Sequence, residues 1–238
     1  AELPTAMLNG RVRIIFQPAE ETAEGAKQMI EAGVLDGVEQ IFSLHVMPQF
    51  EVGQIATRVG TTNYSADLLT VEVFGKDAHG SRPFQGINAN TLIGDMAVKL
   101  PRVLRQMLAD KGIRANELGA EIMFSFGELE GGKVMNRVPE KGKLVGSLRA
   151  ATPEVREAAE ELWPEAVRKA FDLVRDEMIA NNELAPEQRD AVTVTEKFES
   201  LAWMVLNDPA STELVNSVVL DWLGPEHLAE AHASPGSD

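Results

Sequence analysis

Between Leu68 and Phe198 the hydrophobic spacing switches repeatedly between two periods, and this order restricts the fold more than any other property of the chain. In "LLTVEVFG" Leu69, Val71 and Val73 alternate with Thr70, Glu72 and Phe74, the two-residue period of a half-buried strand. From Asn88 to about Lys111 the apolar residues Leu92, Ile93, Met96, Leu100, Val103, Leu104, Met107 and Leu108 recur at helical spacing, with Pro101 expected to kink the helix. "AEIMFSFGEL" and "GKLVGSLRAA" read as two strands separated by a Gly-rich, Pro-containing turn region. "TPEVREAAEELWPEAVRKAFDLVRDEMI" is a second long helix, with Thr152 at its N-cap, Pro153 at its first position and Val155, Ala159, Leu162, Ala166, Ala170 and Val174 along one side. "DAVTVTEKF" closes the series as a strand.

That order, β, α, β, β, α, β, is the split βαβ of a ferredoxin-like α+β sandwich, with two helices on one face of an antiparallel sheet. The flanks have a different texture. "GRVRIIFQ", bounded by Gly10 and Pro18, reads as a buried strand. A helix follows whose first turn carries Glu20, Glu21 and Glu24, and "QIFSLHV" reads as a second strand. Strand, helix, strand with short connections implies a mostly parallel sheet. After residue 205 a last helix, capped by Asp208 or Ser211, turns Leu214, Val215, Val218, Val219 and Trp222 inward. The expected class is therefore α/β: a partial α/β domain over residues 1–62 and 205–238, with the sandwich of residues 63–204 inserted into it. Because the chain opens on Ala1 rather than Met and stops at "ASPGSD", a piece of a longer protein is expected.

Charge and composition exclude several function classes. Thirty-seven acidic residues against 22 basic ones give a net charge of −15, a field that repels a phosphate backbone, so no nucleic-acid partner is expected. No apolar run of about 18 residues exists to span a membrane. No export leader is recognisable, which points to the cytoplasm. With no cysteine, any metal must be held by His, Asp or Glu.

Glu20 and Glu21 follow a strand-like run, where α/β folds bind ligands, and His45 ends the next such run. Carboxylate and imidazole can share a divalent ion while a second carboxylate moves a proton. Acidic residues in a first turn are also favoured by the helix dipole without any function, and a histidine on an apolar strand is often only a hydrogen-bonded core residue. In "GKDAHGSRP" turn-forming Gly75, Gly80 and Pro83 present His79 on a loop, suited to donating a hydrogen bond to an oxyanion; an exposed loop histidine is the plain alternative. Asn136 and Arg149, an amide and a guanidinium near successive strands, suit a grip on a carboxylate, although Arg149 also fits an ordinary surface strand position. His227 and His232 read as solvent-facing.

Taken jointly, "IIFQPAEE", "SLHVMP", "GKDAHGSRP", "MNRVPEKGKLVGSLRA" and "ND" before the last helix resemble the metal-dependent amidohydrolase and peptidase family of hippurate hydrolase, aminoacylases and indole-acetyl amino acid hydrolases. The resemblance covers essentially the whole chain. It implies a two-metal enzyme (Zn, Mn or Co) that cleaves the amide of a small N-acyl amino acid. It also implies Glu20 as general base and acid, Glu21 and His45 as metal ligands, His79 as the group polarising the scissile carbonyl, and Asn136 and Arg149 as substrate-carboxylate contacts. The inserted sandwich becomes a lid and homodimerisation domain. Further ligands are implied from an upstream Cys-Gly-His-Asp-type cluster and a late histidine, and neither motif occurs in these 238 residues. Two alternatives stay open at this point: a non-catalytic dimerisation or interaction module, and a dipeptidase or aminopeptidase of the same superfamily.

Overall fold

The computed structural model describes residues 10–20 and 24–231. The chain divides into two compact units, Ala1–Met47 and Pro48–Asp238. Within the first, helix α1 spans Glu24–Glu31. Gly25 is its buried position, and a Cβ there would lie 1.6 Å from the Pro18 carbonyl oxygen. The chain doubles back on the helix start at a distance only glycine allows. Residues 11–19 and 40–46, the two expected strands of a parallel sheet, carry no strand, and Phe16 (84% exposed) and Leu44 (90%) lie open. A strand exists by pairing its N–H and C=O groups with a neighbour, and among the described residues no segment pairs with either run.

In the second unit β1 (Ile55–Thr57), β2 (Gly60–Asn63), β3 (Ala66–Phe74), β4 (Ala78–His79), α2 (Ala89–Asp110), β5 (Ile122–Gly131), β6 (Arg137–Val138), β7 (Lys141–Ala150), α3 (Pro153–Ala180), β8 (Thr193–Ala202), β9 (Val205–Asn207), α4 (Pro209–Trp222) and β10 (Leu228–Glu230) follow in order. β5, β7, β3 and β8 form one four-stranded sheet in that spatial order, antiparallel throughout. Leu69, Val71 and Val73 of β3, with Leu144 and Leu148 of β7, are almost fully buried and face α2 and α3. From α2 come Leu92, Ile93, Met96, Leu100, Leu104 and Leu108, all at 0% exposure, so the helical stripe of the sequence is the core face. Each such side chain contributes about 1.5–3 kcal/mol on burial, which makes this face the main source of stability.

The ends of the helices follow from local chemistry. Thr152 accepts a hydrogen bond from the Val155 amide at the start of α3, and Asp208 accepts from the Ser211 amide (2.7 Å) at the start of α4. Pro101 and Pro164 lie inside α2 and α3 without ending them. The packed core outweighs the lost backbone hydrogen bond and the clash of the ring with the preceding turn, which together cost about 3 kcal/mol or more.

The last helix departs from expectation. Among the residues expected to face inward only Val219 is buried; Leu214 (47%), Val218 (50%) and Trp222 (78%) are exposed, because β1, β10 and the turn before β10 cover one narrow side of α4. β1 pairs with β10 in parallel and β2 with β9 antiparallel. No described helix is long and apolar enough to cross a membrane.

Candidate active site

β4 and β6 pair beyond the end of the sheet at which Phe74 faces Lys141, with His79 opposite Arg137. The Gly80 amide donates to the Asn136 carbonyl oxygen at 2.7 Å, and a Cβ on Gly80 would sit 2.8 Å from that oxygen. The glycine of "AHGS" is therefore fixed by how closely the two loops approach. The same contact holds His79 and Asn136 at one tip, both exposed. Asp77, two residues before His79, accepts from the Arg137 Nε at 3.0 Å and pairs with its Nη2. The hydrogen bond to Asp77, followed by its charge, raises the Arg137 pKa above its ordinary value.

The tautomer of His79 follows from its neighbours. The Ser81 amide donates to His79 Nδ1 (3.2 Å), and the Ser81 Oγ lies 2.8 Å from the same nitrogen. A backbone N–H can only donate, so Nδ1 accepts and the ring proton sits on Nε2. His79 thus offers an N–H at the outer edge of its ring, the form needed to bind a developing oxyanion. Beside it opens a cleft of about 510 Å³, lined by Gly80, Asn88, Asn90, Lys133, Met135 and Arg137 among others.

Arg149 stands elsewhere. It lies near the far end of β7, opposite Met123 of β5, on a second cleft of about 500 Å³ with Asn116, Ser125 and Ser147. From Lys141, where β7 starts beside the His79 tip, to Arg149 the strand runs roughly 27 Å at about 3.4 Å per residue. The expected joint grip of Asn136 and Arg149 on one carboxylate is thus not formed within a single chain. Nearness in sequence misled here because a strand carries its two ends apart as fast as the backbone can extend.

In the first unit Glu20 is exposed in a turn before α1, so it does not belong to the helix's first turn as expected; Glu21 lies outside the described residues. Ala19, directly before Glu20, has φ +50°, a left-handed conformation that costs a β-carbon residue about 1 kcal/mol or more and is often kept where function needs it. His45 is exposed, and its Nδ1 donates to the Val46 carbonyl at 2.9 Å. Among the described residues no three His, Asp or Glu side chains converge where they could hold an ion. The described residues therefore do not by themselves fit a metal centre. His227 keeps a partly solvent-facing side chain, as expected, and its Nδ1 donates to the Gly53 carbonyl at 2.7 Å. His232 lies outside the described residues.

Comparison with known proteins adds a second kind of observation. The model of peptidase family M20/M25/M40 matches residues 3–238. A Rhodococcus jostii protein named as a glutamate–cysteine ligase 2-3 is 35% identical over 231 residues, 96% of this chain and 26% of that protein. N-acetyl-L-cysteine deacetylase of Bacillus subtilis is 30% identical over 169 residues, 70% of this chain and 39% of its own length. The chain thus spans between about a quarter and two fifths of these relatives. A Bacillus subtilis structure described as a dinuclear metal-binding peptidase from the M20 family superposes with a TM-score of 0.65 at 23% identity, over 93% of this chain and 49% of that one. This likeness shows a shared mixed α/β fold.

Proposed function

Because the chain belongs to peptidase family M20/M25/M40, we propose that it is part of a hydrolase that cleaves the amide bond of small N-acyl amino acids. The observation that carries this reading is the His79 tip: an imidazole with its proton on Nε2, held by Ser81 and fixed beside Asn136 through the Gly80 contact. The N-acetyl-L-cysteine deacetylase relative supports the substrate class. In this reading the chain supplies part of a larger catalytic polypeptide. Residues 1–62 and 205–238 belong to the catalytic domain. Residues 63–204, with strand order β5-β7-β3-β8 and helices on one face, are the inserted ferredoxin-like lid and dimerisation domain.

Two divalent ions (Zn, Mn or Co), with Glu21 and His45 among their ligands, remain part of the proposal for the whole enzyme. The described residues form no such centre, so the chemical roles assigned here are those of side chains alone. Glu20 takes a proton from the attacking water on a carboxylate oxygen and delivers it to the leaving amine nitrogen. His79 donates its Nε2–H to the oxygen that becomes negative in the tetrahedral intermediate, and Asn136 supports the same tip. Arg149 binds the substrate carboxylate as a charged fork. Since Arg149 and His79 lie at opposite ends of one sheet, we assign them to different sites of a homodimer, each chain lending its His79 tip to its partner.

Hydrolysis of N-acetyl, hippuryl and indole-acetyl amino acids by the parent polypeptide tests the reading directly. Release of free amino acid that stops on adding a chelator and returns with Zn, Mn or Co is expected. If none of the panel is cleaved under any metal, the substrate class is wrong. A finer expectation concerns His79→Ala: kcat falls about 10²–10³-fold while KM changes little, because an oxyanion donor acts mainly in the transition state. A comparable rise in KM with kcat intact would move His79 from catalysis to substrate binding.

A further inference from the structure

β2 with β9 and β3 with β8 form one two-stranded antiparallel ribbon that carries the chain into the four-stranded sheet and out of it. The ribbon is broken between the Asn63–Val205 pair and the Ala66–Ala202 pair, with register shifts on both sides of the break. Such irregularities bend and twist a ribbon; here the pairing between the entering and leaving strands lapses, while the entering strand stays tied to the end of β7 through the Ser65 amide on the Ala150 carbonyl (2.8 Å) and Thr61 Oγ1 on the Ala151 carbonyl (2.7 Å), so a pivot between the sheet and the segments before β3 and after β8 falls at this break.

One buried guanidinium lies beside this break. Arg156, in the first turns of α3, is 4% exposed; its partner Asp67 is 1% exposed, and Ser65, which holds Asp67 in turn, is 0% exposed. Arg156 donates to Asp67 Oδ1 from Nε (2.9 Å) and lies 2.8 Å from it at Nη2. Ser65 Oγ donates to Asp67 Oδ2 (2.7 Å) and accepts from the Ala150 amide (3.0 Å), next to Arg149. Arg156 Nη1 reaches Glu160 at 2.8 Å. Its Cζ lies over the Phe198 ring at 5.2 Å from the centroid and over the Trp203 ring at 4.9 Å. A single cation thereby touches both strands of the ribbon beside its break: the entering strand through Asp67, and the leaving strand through Phe198, paired with Leu69 inside the sheet, and through Trp203, within the break itself. A charge this buried is tolerated only when fully partnered, so it holds its partners in one geometry.

We propose that Arg156 is the latch of a hinge at this break, a positioning residue that sets the angle at which the sheet holds its far end. Asp67 to Phe74 spans roughly 24 Å of strand, so a rotation of about 5° at the break displaces the tip beyond Phe74 by about 2 Å. A shift of that size matters for a donor that must lie within hydrogen-bond range of an oxyanion. The consequence for His79 rests on the proposed function; the latch itself rests on the contacts of Arg156.

Hydrogen exchange on the whole chain reads the latch without needing activity. In Arg156→Lys, which keeps the charge but loses the fork, amides of residues 63–68 and 200–206 exchange about tenfold faster or more, while those around Val71 and Leu144 change less than twofold. Should that variant fail to fold, Trp203→Leu decides, because Trp203 is 59% exposed and its loss leaves the Asp67 pair intact. A rise of about threefold confined to the same two segments is expected there. Unchanged exchange at the break in the folded variants, or an equal rise over the whole sheet and both helices, overturns the proposal. Absence of hydrolytic activity in the parent would remove the role of His79 and leave the exchange result standing.

Discussion

On the proposed function, Glu20→Gln in the parent polypeptide is expected to lower kcat for N-acyl amino acid hydrolysis by about 10³-fold, within the 10²–10⁴ that a positioned general base and acid contributes. Glutamine has the shape and hydrogen-bonding reach of glutamate but cannot take the proton of water or return it to the amine. KM should therefore stay within a few-fold of its starting value. The turn around Glu20 gives a structural reason to expect this: Ala19 is held at φ +50° and Gly25 packs against the Pro18 carbonyl, a doubled-back geometry that fixes where Glu20 begins. Steady-state kinetics of the two proteins over a range of substrate concentrations settle the matter. A loss of only several-fold would return Glu20 to the modest part of a residue placed by the helix dipole.

Trp163→Ala destabilises the fold by about 3–5 kcal/mol, the largest single-side-chain effect expected in the sandwich. Trp163 is 1% exposed on α3 and stacks on Phe126 of β5 with ring centroids 6.3 Å apart, so its removal opens a cavity between helix and sheet. The contrast with Trp163→Phe makes the reasoning specific. The indole Nε1 is buried without a hydrogen-bond partner in the chain, so phenylalanine removes a donor whose desolvation is not repaid, which offsets part of the small cavity it leaves, and the cost should stay below about 1.5 kcal/mol. Urea unfolding of the three proteins measures both numbers. A small cost for alanine, or a larger cost for phenylalanine than for alanine, would show that the packing described here does not carry the stability.

The strands from Leu68 to Phe198 and the two long helices were legible because each rests on neighbours in sequence. Leu69, Val71 and Val73 share a face by the pleat of a single strand, and Thr152 and Asp208 cap helices that start one residue later. The short ladders were not legible: β4 and β6 are two residues each, and two residues carry no period. The same limit hid the pairing of His79 with Arg137, although the glycine after His79 hinted at a tight approach. Asp67 and Arg156 are separated by 89 positions, and no local pattern announces that an aspartate at a strand start will hold an arginine in a later helix. Leu214, Val218 and Trp222 show the opposite failure, for a helical stripe gives the side that can be buried and not whether anything covers it.

Between Leu68 and Phe198 the chain's residues alone fixed the alternation of strand and helix and the core stripes, and along the chain they named the caps and the groups able to do acid–base chemistry. All of these depend on side-chain type and on spacing within one element. Only the three-dimensional arrangement decided which of those groups meet: it brought His79 opposite Arg137 with Gly80 on the Asn136 carbonyl, moved Arg149 to the opposite end of the sheet, and placed Arg156 beside the break in the ribbon. Contacts of that kind are set by how elements pack across tens of residues, where the energy of burying a charge or closing a loop depends on surroundings that no short stretch of sequence contains.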